Sequence, residues 1–164
     1  VQASVREPVR VNGYLEIAWE DLLPEGEEER LAAMYQEQMM LLYSGGSIAE
    51  GSPQDIATQI GTFNAVPELD GETVRLPGYT VPFDVGADAK VSEFLLVPYF
   101  GACIHAPPPP PNQTLLIRAK TPIALRDLPQ AVWIEGTLQV EIAETDLADA
   151  AYVIEADQVT AYEY

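Results

Sequence analysis

From residue 69 onward the hydrophobic period of this chain is two, and that period limits the fold more than any other feature. Alternation sends successive side chains to opposite faces of an extended segment, so each run offers one apolar face to a core. Asp70-Gly71 reads as a tight turn. Residues 73–81 alternate around Pro77-Gly78, and residues 94–99 form a dense apolar strand. Residues 114–119, 131–142 and 151–162 read as further strands. Gly136, inside the fourth of these runs, predicts a bend or bulge where a strand turns a corner. Five such β-segments predict a small OB-like β-barrel, closed or partly open. An open β-sandwich is the competing arrangement.

The N-terminal part reads differently. Residues 9–17 are strand-like around Asn12-Gly13, and residues 17–23 make one helical turn or a loop before Pro24. Residues 25–43 form the clearest helix. Glu25, Glu27, Glu28 and Glu29 crowd its start, where they complement the helix dipole. Leu31, Met34, Tyr35, Gln38, Leu41 and Leu42 recur at helical spacing and predict a stripe packed on the barrel. Met34, Met39 and Met40 read as packing residues, not as soft-metal ligands. Gly45-Gly46 stops the helix, and Pro53-Gln54-Asp55 opens a short one capped by Ser52. The fold class is therefore mainly β with an N-terminal helical segment (α+β). It is one domain, with residues 1–67 packing on a barrel formed by residues 68–164.

Charge and length exclude several functions. At 164 residues the chain suffices for one core, and its net charge of −18 repels nucleic acid and anionic lipid alike. A single cysteine precludes an intramolecular disulfide, and no apolar run is long enough to span a bilayer. The start, Val1-Gln2-Ala3-Ser4, has neither initiator Met nor leader, which predicts an exported chain with its signal removed.

One segment carries chemistry: Gly101-Ala102-Cys103-Ile104-His105, then Pro107, Pro108, Pro109, Pro110 and Pro111, then Asn112-Gln113. On an extended segment Cys103 and His105 share a face, and a thiolate with an imidazole suits Zn(II) or Cu(I). Two ligands are too few, so Asp84, Asp88, Glu93, Asn112 and Gln113 are candidates for further ligands or site support, as is a second copy of the chain. The alternative is a buried cysteine behaving as a small hydrophobe. Cys103, His105 and Asn112 also supply the residue types of a thiol catalyst, but neighbours on one strand align poorly for that, and no enzyme is expected. The five prolines favour a polyproline II rod. It acts either as a ridge for partner docking or as a stiff crossover tied to the barrel by Asn112 and Gln113.

The run from Phe94 to His105, with the prolines and Asn112-Gln113, resembles the signature of a family of Gram-negative exported proteins catalogued as a domain of unknown function. Matching flanks are Trp19 through Pro24, Asp70 through Tyr79, Pro82, and Val132 through Leu138. The resemblance implies a periplasmic protein, often encoded beside an ABC transporter and a periplasmic metal-binding protein in zinc-responsive clusters. The barrel portion also resembles a membrane-linked bacterial family tied to metal supply. The implied function is an accessory of a metal transport system, with Cys103 and His105 binding or handing on zinc (or copper). The implied partners are components of that transporter or its binding protein. Direct membrane insertion is not expected, and the chain is expected to be a monomer or weak dimer. The alternative is a non-catalytic interaction module docking through its polyproline segment.

Overall fold

The computed structural model describes residues 7–44, 59–104 and 106–163, and at Asp84 the backbone alone. His105, Gly45-Gly46 and the helix expected at Ser52 lie outside the described residues, as does the side chain of Asp84.

Among the described residues there are seven strands and one long helix. Strands β1 (Arg10–Val11) and β2 (Tyr14–Glu16) flank a turn in which Asn12 and Gly13 both hold positive φ, the geometry that Asn-Gly supplies most cheaply. One 3₁₀ turn, Trp19–Leu22, leads to helix α1 (Glu27–Tyr43). Then follow β3 (Thr73–Val85), β4 (Lys90–Val97), β5 (Leu115–Ala124), β6 (Ala131–Glu144) and β7 (Asp149–Ala161).

The last five strands close a barrel in the order β3-β4-β5-β7-β6, with β6 returning to β3. All neighbours are antiparallel except β5 and β7, which run parallel with Leu115 opposite Tyr152. A five-stranded ring closed by one parallel pair is the OB-type barrel that the period-two pattern predicted, and the sandwich alternative falls. The strands run longer than the apolar runs suggested. Thr73–Val85 carries Pro77 and Gly78 within a ladder to β6, and β5 continues to Ala124. Gly136 sits at a register shift between β6 and β7, as expected of a bulge.

The barrel interior is filled by Val74, Leu76, Phe94, Leu96, Leu115, Ile117, Val132, Ile134, Leu138, Tyr152 and Ile154. Ile17 and Leu22, from the segment before α1, plug the same core. Each fully buried aliphatic or aromatic side chain contributes about 1.5–3 kcal/mol. Tyr152 fastens the plug: its hydroxyl donates to Leu22 O (2.6 Å) and accepts from the Val66 N–H (2.8 Å). A second apolar layer lies on the outer face of β3, β4, β5 and β7: Val81, Leu95, Val97, Leu116 and Val153, with Ala102, Ala148 and Ala150 packed over it.

Helix α1 corrects one expectation. Leu31 is buried and Met34 and Gln38 are half-buried, but Tyr35, Leu41 and Leu42 of the expected packing stripe are exposed. Among the described residues, full burial on α1 is confined to its first turns, at Glu27 and Leu31. The barrel is already closed and plugged, so it offers no groove for the remaining turns.

Candidate functional site

The residues singled out by the sequence lie in the connection between β4 and β5. After Val97 the chain turns sharply at Gly101 (φ 84°) and Cys103 (φ 68°). The Gly101 carbonyl accepts from the N–H groups of Ile104 and Ala106, both at 3.2 Å, and Ala102 pairs with Ala106. This segment is a tight turn, so the extended geometry that was to set Cys103 and His105 on one face is absent. The reason is local: two residues at positive φ reverse the chain where a strand would need both at negative φ. A cysteine in the left-handed region costs on the order of 1 kcal/mol that glycine would not.

The turn folds back on the outer sheet face. Ala102 is fully buried there, and Cys103 is half-buried against the same cluster. Burial pushes the Cys103 thiol above its ordinary value. The thiol is therefore expected to react with iodoacetamide at pH 7.5 more slowly than a free cysteine, with the rate climbing through and above about pH 9. A pH series of alkylation rates checks this; a fast rate at pH 7 contradicts it. Beside the buried residues the turn carries outward-facing apolar ones. Phe100 and Ile104 are 62% and 63% exposed, and Phe100 meets Tyr79 edge to face with ring centroids 6.2 Å apart.

The prolines are a strap. Pro107 is exposed and Pro108 half-buried, whereas Pro109, Pro110 and Pro111 are buried. Proline has no N–H to satisfy, so only the carbonyls need partners. Gln59 Nε2 donates to Pro109 O (2.9 Å) and to Asp149 O (2.8 Å), while its Oε1 accepts the Asp149 N–H (2.8 Å). Thr114 Oγ1 donates to Pro110 O (3.0 Å). Gly61 lies flat on the strap, since a Cβ there would come within 2.9 Å of Pro110 Cα. Three of the five prolines are thus buried against the chain, and Pro107 and Pro108 keep an accessible surface.

At the end of the strap sits a polar cluster that the sequence did not announce. Glu27, in the first turn of α1, is fully buried. Its carboxylate accepts from Thr62 Oγ1, Asn64 Nδ2 (3.1 Å), Asn112 Nδ2 (3.0 Å) and Arg30 (3.0 Å). Burial acts to raise its pKa, but these donors together outweigh burial and hold it below the usual carboxylate value. Asn112 Nδ2 also donates to Asn64 O (3.1 Å), and Gln113 Nε2 to Trp19 O (2.8 Å). The amides thus tie the strap to α1 and to the plug.

The remaining ligand candidates are not gathered at Cys103. Glu93 pairs with Arg118 (3.5 Å), which also meets Glu141 and Glu155 (both 3.3 Å). Glu93 and Arg118 border a groove of about 500 Å³ between Phe83, Leu116 and Ile142. It occupies the face of the second and third barrel strands, where OB-type barrels hold ligands. Asn112 and Gln113 give their amide N–H groups to structural bonds, while the buried Asn112 Oδ1 has no hydrogen-bond partner among the described residues. Among the described residues there is no group of three or more His, Cys, Asp or Glu side chains disposed to hold a metal ion. Cys103 fits a soft metal by its chemistry.

A family model for a protein of unknown function, DUF3299, matches residues 19–161. The chain belongs to the DUF3299 family. The solved relatives include a DUF3299 family protein from Pseudomonas aeruginosa PAO1, 35% identical to this chain. The match covers 93% of this chain and 99% of that one, with a TM-score of 0.67. No curated protein matches. The DUF3299 match spans Leu22 of the plug, α1, the strap and all five barrel strands. Sequence reasoning singled out the segment from Gly101 to Gln113 in this DUF3299 chain but read its start as extended, and it missed Gln59, Thr62, Asn64 and the burial of Glu27. The acidic start of α1 was the available signal; it read as dipole compensation because four neighbouring glutamates look alike until one is buried.

Proposed function

We propose that this protein is a non-catalytic accessory module of an exported metal transport system, docking on a partner through the turn between β4 and β5. The observation that carries the reading is the contrast within that turn. Its base is clamped by buried prolines, amides and Ala102, while Phe100 and Ile104 project outward at its tip. A rigid loop with two large apolar side chains at its tip loses little conformational entropy on binding, which favours a protein contact. Cys103 lies beside this tip. One or two soft donors are too few for a closed zinc site, and they suit an ion whose remaining ligands come from the docked partner. In this reading Cys103 and His105 supply this chain's share during hand-over of zinc or copper.

The test is calorimetric titration of the periplasmic metal-binding protein encoded with the transporter, with and without zinc, into wild type, Phe100→Asp, Ile104→Asp, Cys103→Ser and His105→Ala. Wild type is expected to bind, and each tip variant to weaken binding at least about tenfold. The zinc-dependent increment is expected to vanish in Cys103→Ser and His105→Ala. Unchanged binding in both tip variants would remove the turn as the contact. Zinc binding by neither the chain nor the complex would remove the metal from the proposal.

A further inference from the structure

One seam of the barrel ring is paired along only part of its length. Strands β5 and β7 run together from Leu115 beside Tyr152 to Ala119 beside Ala156. Beyond that point each continues for five residues, to Ala124 and Ala161, paired only with its other neighbour, β4 or β6. Both strands bulge where they part. β5 places extra residues opposite the interval between Val91 and Glu93, and β7 places Asp157 opposite the interval between Glu135 and Gly136. A bulge bends its strand, and between the two tails lies a groove of about 550 Å³ lined by residues 121–124 and 156–160.

Backbone groups edge this groove. The Tyr162 N–H donates to Ala131 O (2.9 Å). By alternation Thr160 and Gln158 also turn their N–H and C=O groups to β6, and Val159 and Ala161 turn theirs the opposite way. Neither of these two N–H groups finds a partner among the described residues. On the facing tail the Leu125 N–H donates to Ala89 O, so Ala124 and Pro122 are the residues turned from β4. Pro122 has no N–H to offer, which leaves β7 as the receiving edge.

We infer that this seam takes an extended segment of another protein, added as a strand along the tail of β7. Donors and acceptors repeating along a strand edge fit an extended peptide backbone. Charge narrows the source. The charged residues of the lining are Asp127 and Asp157, and each copy of this chain carries −18. A second copy is repelled, and a segment bearing Lys or Arg is attracted. Lys120, held by Asp157, closes the groove at the point where the strands separate. The seam lies at the end of β5 remote from the strap, so it is independent of docking at the turn between β4 and β5.

Amide exchange and peptide titration of the wild-type chain, both followed by NMR, test the seam. The Val159 and Ala161 amides are expected to exchange at least about tenfold faster than those of Gln158 and Thr160. The peptide is an acetylated, amidated hexamer of alternating Lys and Val. It is expected to shift the amides of residues 119–124 and 156–161, with a dissociation constant of about 0.1–1 mM. Methylating its peptide nitrogens is expected to weaken binding at least about tenfold, and so are Val159→Pro and Ala161→Pro in the protein. Each proline removes a groove-facing N–H and no bond to β6. Ala161 is exposed, so Ala161→Pro is expected to leave the melting curve in place. Protected amides at Val159 and Ala161 overturn the inference. So do an absence of shifts up to about 5 mM peptide, shifts confined to another surface, and equal binding by the methylated peptide, by the same peptide with Glu for Lys, or by Ala161→Pro.

Discussion

Gly136→Ala is expected to lower stability by at least about 3 kcal/mol, one of the largest effects of any single methyl addition to this chain. A Cβ at Gly136 would be driven onto the Glu155 carbonyl oxygen and to within 2.8 Å of Ala156 Cα. Both obstacles are backbone of β7, so no side-chain rotation relieves them. The two strands must part where their register already shifts. Because β6 and β7 together supply Ile134, Leu138, Tyr152 and Ile154 to the interior, parting them opens the core. Urea unfolding followed by tryptophan fluorescence measures the loss as a lower midpoint at unchanged slope. A midpoint equal to wild type would mean that the bulge absorbs the methyl group.

Glu27→Ala is expected to cost about 3 kcal/mol, since it removes an acceptor from the buried Asn112 amide and frees the first turn of α1 from the strap. Glu27→Gln keeps the shape but turns an acceptor of four bonds partly into a donor, and it falls between. The charge has a pH signature. The carboxyl pKa is lower in the folded state than in the unfolded chain, so its stabilisation is fully present above the unfolded value near 4.3 and is lost as pH falls through the folded value. Wild type is thus expected to lose stability more steeply than Glu27→Gln below about pH 4. Parallel slopes in the two proteins would show that Glu27 is not held ionised by its donors.

The barrel was legible because period-two alternation is a direct imprint of a sheet with one face inside. The runs at residues 94–99 and 131–142 fall on β4 and β6, where Phe94 and Leu96, and Val132, Ile134 and Leu138, face the interior. Strand ends were less legible: residues 120–124 carry little apolar signal, and they remain in β5 because β4 supplies a ladder at Lys90 and Val91. Helix α1 was legible as a helix, but which side chains it buries was not. Leu31 and Leu42 look equivalent in sequence, and only the position of the closed barrel separates them. The same limit applied to the motif. Cys-x-His reads as a same-face pair only if the backbone is extended, and Cys103 at φ 68° breaks that premise. Pro, Asn and Gln could be read as ridge or as clamp, and the partners that hold them, Gln59 and Glu27, lie far away in sequence.

The plug has a consequence for the order of events in synthesis. Leu22 enters the barrel among residues of every later strand, and its carbonyl is bonded to Tyr152, 130 positions on. Tyr14 likewise finds Asp157 across 143 positions. The ring itself closes through β5 against β7 and β6 against β3. Contacts of such separation reward the chain only after long loops have been closed. A nascent chain ending before Asp149 therefore has a plug without a barrel and a sheet without its closing strand. The protein emerges as an open polymer until its final strand is made, a state in which a chain can still be threaded through a narrow channel.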